Sequence, residues 1–379
     1  MSTVTLAPSS NRQTSQTRYP GLDGLRGLAA ILVILHHTAL KGTDIGGLSV
    51  FLFFALSGFL ITGILVRARR EIEAGRETIR GALGAFWVQR ALRIFPAYYA
   101  WLTIFLPFDA LLFHGQTLEH VDWYLLYAQN FLVGFVTLAW QDFTHTWSLA
   151  VEQQYYVFFA PLTLLLPSRW HTRFFIGAIA ACLLVGAALD AAGYGAITVY
   201  PAPSTGFVLM AAGALLSLAT RAQLTPFARP APVLCALTAT TLLALYPIAE
   251  RAQLLRLPYP LLLAASAAAL TILLAATLAA PQSRAVALLE SAPLRFLGKI
   301  SYALYIVHLP LAYWAHETGA LDGAGHGVVR DLAECVVVTP LSLALATLSW
   351  RFIESPFLRL KSRLKTRAEP APLKGHARV

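Results

Sequence analysis

The sequence predicts an all-α, polytopic membrane protein with about ten transmembrane helices and both termini in the cytoplasm. Three observations lead to this fold class. Of the 379 residues, 57% are hydrophobic and only 13% are charged, whereas a typical soluble domain has about 25% charged residues. Apolar runs of about 20 residues recur along the chain, the length that a helix needs to cross about 30 Å of hydrocarbon. The third observation is the distribution of Lys and Arg.

The net charge of +10 has a topological explanation. In the predicted topology the cytoplasmic segments hold 25 of the 29 Lys and Arg residues. Lys and Arg are retained on the cytoplasmic side of membranes, so this count favours a multi-pass protein of the inner (plasma) membrane over one with a nucleic-acid partner. The predicted crossings are 22–40, 47–66, 95–113, 147–166, 174–190, 204–219, 231–248, 259–280, 301–316 and 330–350.

Three stretches lie outside the predicted crossings. Residues 1–18 are polar and we expect them to be disordered, so the membrane domain runs from 19 to 358 and a basic cytoplasmic tail follows at 359–379. Such a tail suits anionic lipid headgroups. Residues 123–140 are apolar enough for an eleventh crossing, but that crossing would put the basic tail outside. We therefore expect 123–140 to lie at the outer face or to dip into it.

The cysteine spacing predicts neither a disulfide framework nor a metal cluster. Both need clustered cysteines, but the three cysteines of this chain lie singly within apolar runs. We interpret them as packing residues and expect no bound metal. They are Cys182, Cys235 and Cys335.

The first predicted crossing carries ionisable groups that a lipid-facing helix would not keep. Residues 19–41 read YPGLDGLRGLAAILVILHHTALK. A charge at the middle of a membrane helix costs at least about 2.5–3.5 kcal/mol, so such residues usually serve a function. Arg26 and His37 are eleven residues apart, which puts them on one helix face, about 16 Å apart along the axis. The alternative is that Asp23 and Arg26 pair at one headgroup layer and His37 lies at the other.

Small residues predict close helix packing in the first two crossings. Gly21, Gly24 and Gly27 form a stripe on the first helix that suits close contact with a neighbouring helix. In the second crossing, FFALSGFLIT places Ser57–Gly58 inside an apolar run. We interpret this pair as close packing first and as pocket lining second.

The fourth predicted crossing opens with THTWSLAVEQQYY. Glu152 in this run lies at a depth similar to that of His37 on an antiparallel helix, so its carboxylate could orient the imidazole and raise its basicity. The alternative is a solvated Glu152 in an outer vestibule. Because Glu152 is followed by more polar side chains, up to Tyr156, we favour a polar cavity over a lipid-facing surface.

Two further crossings carry candidate polar groups. Arg90 and Arg93 are three residues apart at the cytoplasmic end of the third crossing, where guanidinium groups could bind phosphates. The alternative is plain cytoplasmic retention of positive charge. In the ninth crossing, Ser301, Tyr305 and His308 form one polar stripe. There a structural histidine is as good an interpretation as a functional one. Together with Asp23, Ser57 and Tyr156, the three residues of this stripe are the candidates for lining a pocket.

Six motifs taken together resemble the acyltransferase-3 family of bacterial membrane O-acyltransferases. They are LDGLRGLAA, FFALSGFLIT, RALRIFPAYY, WSLAVEQQYY, ISYALYIVH and FIESPF, and they extend from about residue 19 to 358. The resemblance implies a ten-helix acyltransferase domain over this range, of the type without a fused hydrolase-like domain. The chain contains neither a P-loop nor a G-x-S-x-G nucleophile motif.

The resemblance also implies roles for five residues. Arg26 and His37 match the R-x10-H pair of the first helix, Arg90 and Arg93 match the R-x-x-R motif linked to the acyl donor, and Glu152 matches the acidic position of W-S-L-x-x-E. The expected donor substrate is acyl-CoA, most simply acetyl-CoA, with no permanently bound cofactor. The expected acceptor is a carbohydrate or glycolipid hydroxyl.

The expected mechanism leaves several alternatives open. His37, held by Glu152, would remove the proton of the acceptor hydroxyl, although a covalent acyl-histidine is equally compatible with the sequence. The acceptor could also be a macrolide or another small molecule. From other classes, a secondary transporter also carries midplane polar residues, but we find no internal repeat. The remaining alternatives are an unrelated lipid-modifying acyltransferase and a structural scaffold.

Overall fold

The computed structural model describes residues 18–43, 45–113, 115–140, 143–231, 233–234, 237, 259–321, 323 and 325–360. All regular secondary structure in these ranges is helical, with no strand, as the sequence predicts. Nearly all of the predicted N-terminal and C-terminal segments, and most of the predicted crossing at 231–248, lie outside the described residues.

Nine helices of at least 16 residues form the described part of the chain. They are α1 (Leu22–His37), α2 (Ile45–Glu73), α3 (Ile79–Phe108), α4 (Trp147–Leu165), α5 (His171–Ala191), α6 (Pro203–Leu218), α7 (Tyr259–Ala279), α8 (Ala292–Glu317) and α9 (Val328–Ser349).

Shorter helical pieces connect them. The α-helical pieces are Val121–Leu125, Gln129–Phe131, Ala196–Val199, Arg221–Leu224 and Arg284–Leu289. The 3₁₀ turns are Thr144–Thr146, Ser168–Trp170 and Thr225–Phe227, and the π-helical turns are Asp109–Phe113, Leu132–Thr137 and Trp350–Glu354.

Membrane-spanning character is supported for only part of the described helices. Five helical segments there are long and apolar enough to cross a membrane, and a sixth span is possible if the pair Pro203–Leu218 and Arg221–Phe227, bent by 115°, counts as one. Helix α1 has only 16 residues, fewer than the roughly 20 that a span needs. A multi-pass membrane protein is consistent with these helices, whereas ten crossings and cytoplasmic termini remain predictions. The five segments are Ile45–Glu73, Ile79–Leu111, Ser168–Ala191, Tyr259–Ala279 and Val328–Leu360.

Helix α3 begins well before the crossing predicted at 95. It starts at Ile79, where the Thr78 side chain accepts a hydrogen bond from the Gly81 backbone N–H at 3.0 Å. Such N-cap bonds satisfy one of the free N–H groups in the first turn. Arg90 and Arg93 therefore lie within a continuous helix and not at its start.

The predicted close contact of the first helix is confirmed. A Cβ on Gly24 would lie 2.0 Å from the Leu289 carbonyl oxygen, and one on Gly27 would lie 2.3 Å from the Leu294 carbonyl oxygen. Both neighbours are backbone atoms, so only glycine allows this approach. The stripe thus packs α1 against α8 and the short helix before it, which places Arg26 beside α8.

The glycine of the second crossing also makes a backbone contact. A Cβ on Gly58 would lie 1.9 Å from the Met210 carbonyl oxygen of α6, and one on Gly213 would lie 2.0 Å from the Ala55 carbonyl oxygen of α2. The predicted close packing at Ser57–Gly58 is therefore confirmed. Because Gly58 faces α6, its neighbour Ser57 faces a different side of α2.

A carboxylate from another element caps the start of α1. The Gly21 N–H donates to Glu290 Oε1 at 2.7 Å, and Arg18 forms an ion pair with the same carboxylate. Burial alone would raise the pKa of Glu290, but these hydrogen bonds and the Arg18 charge outweigh it and lower the pKa below its ordinary value. The cap fixes the start of α1, about four turns before His37.

The segment at 123–140 is not one continuous helix. It breaks into Val121–Leu125, Gln129–Phe131 and the π-helical turn Leu132–Thr137. Tyr127 and Leu138 have positive φ angles of 52° and 50°, which interrupt a regular helix. These breaks agree with a segment that does not span the membrane by itself.

Two of the cysteines are within the described residues. Cys182 and Cys335 are half-buried free thiols, consistent with packing residues, while Cys235 lies outside the described residues.

Candidate functional site

A pocket lies between α1, α2, α4 and α8. It encloses about 590 Å³ of space that protein atoms do not fill, part of it open to solvent. The α2 wall consists mainly of Val, Phe and Leu side chains, and the other three helices supply most of the polar groups. The polar lining residues are Arg26, Ser57, Ser148, Glu152, Ser301, Tyr302 and Tyr305.

Glu152 is the carboxylate of this pocket. The hydroxyls of Ser57 and Tyr156 both donate to its Oε1 atom. The guanidinium group of Arg26 interacts electrostatically with it across the pocket. Glu152 thus lines this pocket, and the two hydroxyls satisfy its carboxylate in a largely apolar wall.

His37 forms a pair with His308 beyond the end of the pocket. His37 Nδ1 lies 2.9 Å from the Val33 carbonyl oxygen and 3.3 Å from His308 Nε2. His308 is buried, and its Nδ1 lies 2.6 Å from the Tyr305 carbonyl oxygen. A carbonyl oxygen only accepts hydrogen bonds, so we assign the proton to Nδ1 of each neutral ring. His37 Nε2 then carries the lone pair that a general base needs.

The predicted pair of Glu152 and His37 is not formed. The hydrogen-bond partners of His37 among the described residues are Val33 and His308, whereas Glu152 bonds Ser57 and Tyr156. Similar depth along two helix axes does not decide which way each side chain turns around its own axis. The residue that orients His37 in this structure is a second histidine on α8.

Sequence reasoning missed His145, which lies in the 3₁₀ turn before α4. Its Nε2 is 3.1 Å from the Ile306 carbonyl oxygen, and its ring centroid is 5.4 Å from that of His308. Its own carbonyl oxygen accepts a hydrogen bond from the Tyr305 hydroxyl at 2.6 Å. The only signal in the sequence was that His145 lies in the run THTWSLAVEQQYY, which also contains Glu152.

A layer of hydroxyl groups separates the pocket from the histidines. The hydroxyls of Tyr305 and Ser148 lie 2.8 Å apart, and both residues line the pocket. His37 and His308 do not line it. The pocket and the histidine pair are therefore adjacent compartments that meet at Tyr305.

Arg90 and Arg93, predicted at the cytoplasmic end of the third crossing, lie beside the end of the pocket that Arg26 lines, which we call its inner end after the predicted topology. Arg90 is half-buried and lies over the Phe86 ring, 5.9 Å from its centroid, and its buried Nε has no hydrogen-bond partner. Arg93 interacts electrostatically with Arg26. Neither lines the pocket, but both bring guanidinium groups close to it, next to Tyr156 and Arg26.

Sequence reasoning also left Glu354 without a role. This residue of the FIESPF motif is only 2% exposed and ends the π-helical turn Trp350–Glu354. It interacts electrostatically with Arg93 and Arg26. The only signal in the sequence was its place in one of the six motifs, directly after the last predicted crossing. Its burial, which is unusual for a carboxylate without a partner, appears only in the structure.

The other predicted pocket residues divide into two groups. Ser301 and Tyr305 line the pocket, and the buried Ser301 hydroxyl donates to the Gly298 carbonyl oxygen at 2.9 Å. Asp23 does not line it. Its side chain is 54% exposed and lies 3.9 Å from Arg18, so the structure places it at the protein surface.

Known proteins similar to this chain are acyltransferases by name. A family model described as an acyltransferase domain matches residues 19–351. The Listeria monocytogenes protein named peptidoglycan O-acetyltransferase OatA is 27% identical over 378 residues, covering 90% of this chain and 56% of that protein. YrhL, named as a candidate peptidoglycan O-acetyltransferase of Bacillus subtilis, is 30% identical over 372 residues, covering 91% of this chain and 56% of that protein.

The chain spans about half the length of these two curated relatives. No solved structure matches it. The family model covers nearly the whole range over which the six motifs occur, and the relatives carry O-acetyltransferase names. The identification made from the motifs is confirmed: the chain belongs to the acyltransferase family that this domain model defines.

Proposed function

We propose that the protein is an integral membrane O-acyltransferase. It moves an acyl group, acetyl in the simplest case, from acyl-CoA to a hydroxyl of a cell-envelope carbohydrate. The names of the two relatives favour peptidoglycan as the acceptor. The macrolide and lipid-linked sugar alternatives remain possible outcomes of the test below.

One observation carries this proposal. An arginine-bounded pocket ends at the hydroxyls of Tyr305 and Ser148, and a histidine pair lies directly behind them. An extended donor could place its phosphates toward Arg90 and Arg93 and its thioester at the hydroxyl end. The acceptor would approach from the histidine side, so the reacting atoms would meet at Tyr305.

The transfer step uses the assigned tautomer of His37. The acceptor oxygen bonds to the acyl carbonyl carbon while its proton passes to His37 Nε2. The carbon–sulfur bond breaks, and the CoA sulfur takes that proton from His37. At the pocket end the Tyr305 hydroxyl donates to the His145 carbonyl oxygen. The Ser148 hydroxyl, turned from Tyr305 toward the substrate, is therefore the donor suited to stabilise negative charge that develops on the acyl carbonyl oxygen. His308 keeps the base in its correct orientation.

Replacing the proposed base tests this function. We expect His37→Ala to reduce O-acetyl transfer by about 10²–10⁴-fold, the usual contribution of a general base, with unchanged protein level in the membrane. The measurement is label transfer from radiolabelled acetyl-CoA, added to the cytoplasmic face of inverted membrane vesicles, to saponifiable esters of the envelope glycans. Mass spectrometry of the released glycans identifies the acceptor.

Two controls accompany this experiment. His316→Ala changes an exposed histidine at the outer end of α8 and should leave transfer unchanged. Radiolabelled acetyl phosphate in place of acetyl-CoA tests the donor. Wild-type transfer by His37→Ala would rule out His37 as the general base. Label that crosses the membrane without forming an ester would instead support a transporter.

A further inference from the structure

Three arginines and two carboxylates converge around the inner end of the pocket. The arginines come from two helices, with Arg26 on α1 and Arg90 and Arg93 on α3; the carboxylates are Glu152 on α4 and Glu354 at the end of α9. In the part of the chain that the structure describes, none of these guanidinium groups forms an ion pair within 4.0 Å. The buried Nε atoms of Arg26 and Arg90 have no hydrogen-bond partner, whereas Arg90 also hydrogen-bonds the Tyr156 side chain.

The two carboxylates differ in their hydrogen bonding. Glu152 has its Oε1 atom occupied by two hydroxyl donors, from Ser57 and Tyr156. Glu354 is 2% exposed, and its buried Oε1 has no hydrogen-bond partner. Its electrostatic partners are Arg93 and Arg26. In its ionised form Glu354 supplies negative charge to these arginines without forming an ion pair with them at close range.

The fold holds Glu354 near the arginines through neighbouring hydrogen bonds. Trp101 Nε1 of α3 donates to Ser349 Oγ of α9 at 3.0 Å, and the Tyr302 hydroxyl of α8 donates to the Ile94 carbonyl oxygen of α3 at 3.0 Å. The π-helical turn that ends at Glu354 follows Ser349 directly. Such turns inside helices are frequent at functional sites. They change the direction in which the following side chains project.

The two carboxylates can reduce the electrostatic repulsion between the three arginines. Guanidinium groups that share a partly buried site repel each other, and a buried charge without compensation is strongly destabilising. With two carboxylates, the three arginines keep a small positive excess, which suits one anionic ligand. Without Glu354 the repulsion between Arg26 and Arg93 would rise, and the arginines would turn away from the pocket toward water.

We propose that Glu354 is a positioning residue that holds Arg93 and Arg26 at the inner end of the pocket with their donors free for the acyl donor. This inference rests on the proposed function. Glu354 itself touches neither the donor nor the reacting atoms. Its effect on transfer passes through the two arginines.

The test compares two buried carboxylates that both belong to the last helical segment. Glu354→Gln keeps the size of the side chain and removes its charge. We expect it to lower kcat for transfer from acetyl-CoA at least tenfold. The matched control is Glu334→Gln, which removes a 4%-exposed carboxylate of α9 that is bonded to Lys41. The control should keep kcat while lowering thermal stability in detergent at least as much.

A double variant separates positioning from a merely structural role. If Glu354 acts through Arg93, then Glu354→Gln combined with Arg93→Gln should be no slower than Arg93→Gln alone. Multiplicative losses, or a wild-type kcat for Glu354→Gln, would overturn the proposal. Glu354→Asp retains the charge and should recover part of the activity, which keeps the test valid if Glu354→Gln accumulates poorly.

The outcome also separates this inference from the proposed function. If His37→Ala and Arg93→Gln abolish transfer while Glu354→Gln does not, only the role of Glu354 fails. If none of the three variants changes transfer, the proposed function itself fails.

Discussion

At the residue scale, the ionisable side chains of the site are held by neutral groups more than by opposite charges. The Nδ1–H groups of His37 and His308 face backbone carbonyl oxygens, and two hydroxyls face one oxygen of Glu152. Such bonds fix the direction of a side chain without forming a close ion pair. The arrangement leaves His37 Nε2 free to accept a proton from a substrate.

The His308 pair gives a prediction at this scale. His308→Ala removes the acceptor that faces His37 Nδ1–H, so the imidazole loses one of its two orienting contacts. We expect transfer to fall about fivefold, since one hydrogen bond contributes about 1 kcal/mol and 1.4 kcal/mol corresponds to a factor of ten. The measurement is kcat in the vesicle assay.

His308→Gln is the conservative comparison for this variant. Its amide oxygen can accept from His37 Nδ1–H in place of the imidazole nitrogen, so it should retain more activity than His308→Ala. Equal kcat values for wild type and His308→Ala would show that the pair does not orient the base.

At the element scale, glycines decide which helices approach each other. The contact of α2 with α6 places Gly58 against the Met210 carbonyl group and Gly213 against that of Ala55. Small residues allow this approach in membrane helices. Because Ser57 precedes Gly58 on α2, the same contact directs Ser57 toward Glu152.

Adding one methyl group at this contact should destabilise the protein. In Gly58→Ala the new Cβ would lie 1.9 Å from the Met210 carbonyl oxygen, and a backbone group cannot move aside as a flexible side chain would. We expect a loss of about 1–3 kcal/mol, the usual cost of overpacking. The melting temperature of the detergent-solubilised protein measures it.

A second glycine of α2 provides the control for this prediction. At Gly63 the nearest atom to a new Cβ is 3.6 Å away and belongs to the flexible Arg67 side chain. Gly63→Ala should therefore be neutral or slightly stabilising, since Ala is the better helix former. A similar melting temperature for both variants would contradict the packing account.

At the scale of the whole molecule, α2 separates two polar ends. Its 29 residues correspond to roughly 44 Å at 1.5 Å per residue. Near its start, Lys41 bonds Glu334 at 2.6 Å and joins the loop after α1 to α9. At its end, Glu73 accepts hydrogen bonds from Ser168 and pairs with Arg69. The two ends are expected to lie on opposite sides of a bilayer.

Cysteine labelling tests this orientation. In a background without native cysteines, Leu40→Cys should react with a membrane-impermeant maleimide on intact cells, because it precedes α2 at the predicted outer side. Ala74→Cys, at the other end of α2, should react only after permeabilisation. Both positions are exposed. The reverse pattern would overturn the predicted topology.

The sequence anticipated most of the polar residues that line the pocket, with Ser148 and Tyr302 as the exceptions. Arg26, Ser57, Glu152, Ser301 and Tyr305 were all predicted and all line it. Charge or hydroxyl groups inside apolar helices stand out in a sequence because burying them is costly. The predicted Glu152–His37 pair was wrong, because the pairing depends on how each helix is rotated about its own axis.

Two contributors were missed for the same reason. His145 lies in a turn before α4, and Glu354 lies at the end of the last helix. Neither residue stands out from its neighbours in the sequence. The role of each is visible only from the helices that pack around it. Their partners, Ile306 for His145 and Arg26 for Glu354, are more than 150 residues away in the chain.

The sequence by itself determined the helical class, the family and the close helix contacts at its glycines. These follow from composition, from motif order and from the absence of a side chain, which are all local properties. Only the tertiary structure decided that His308 orients His37 and that Glu354 lies beside the arginines. Those pairings depend on the rotation of each helix about its axis, and that rotation is set by the sum of many packing contacts that no single segment contains.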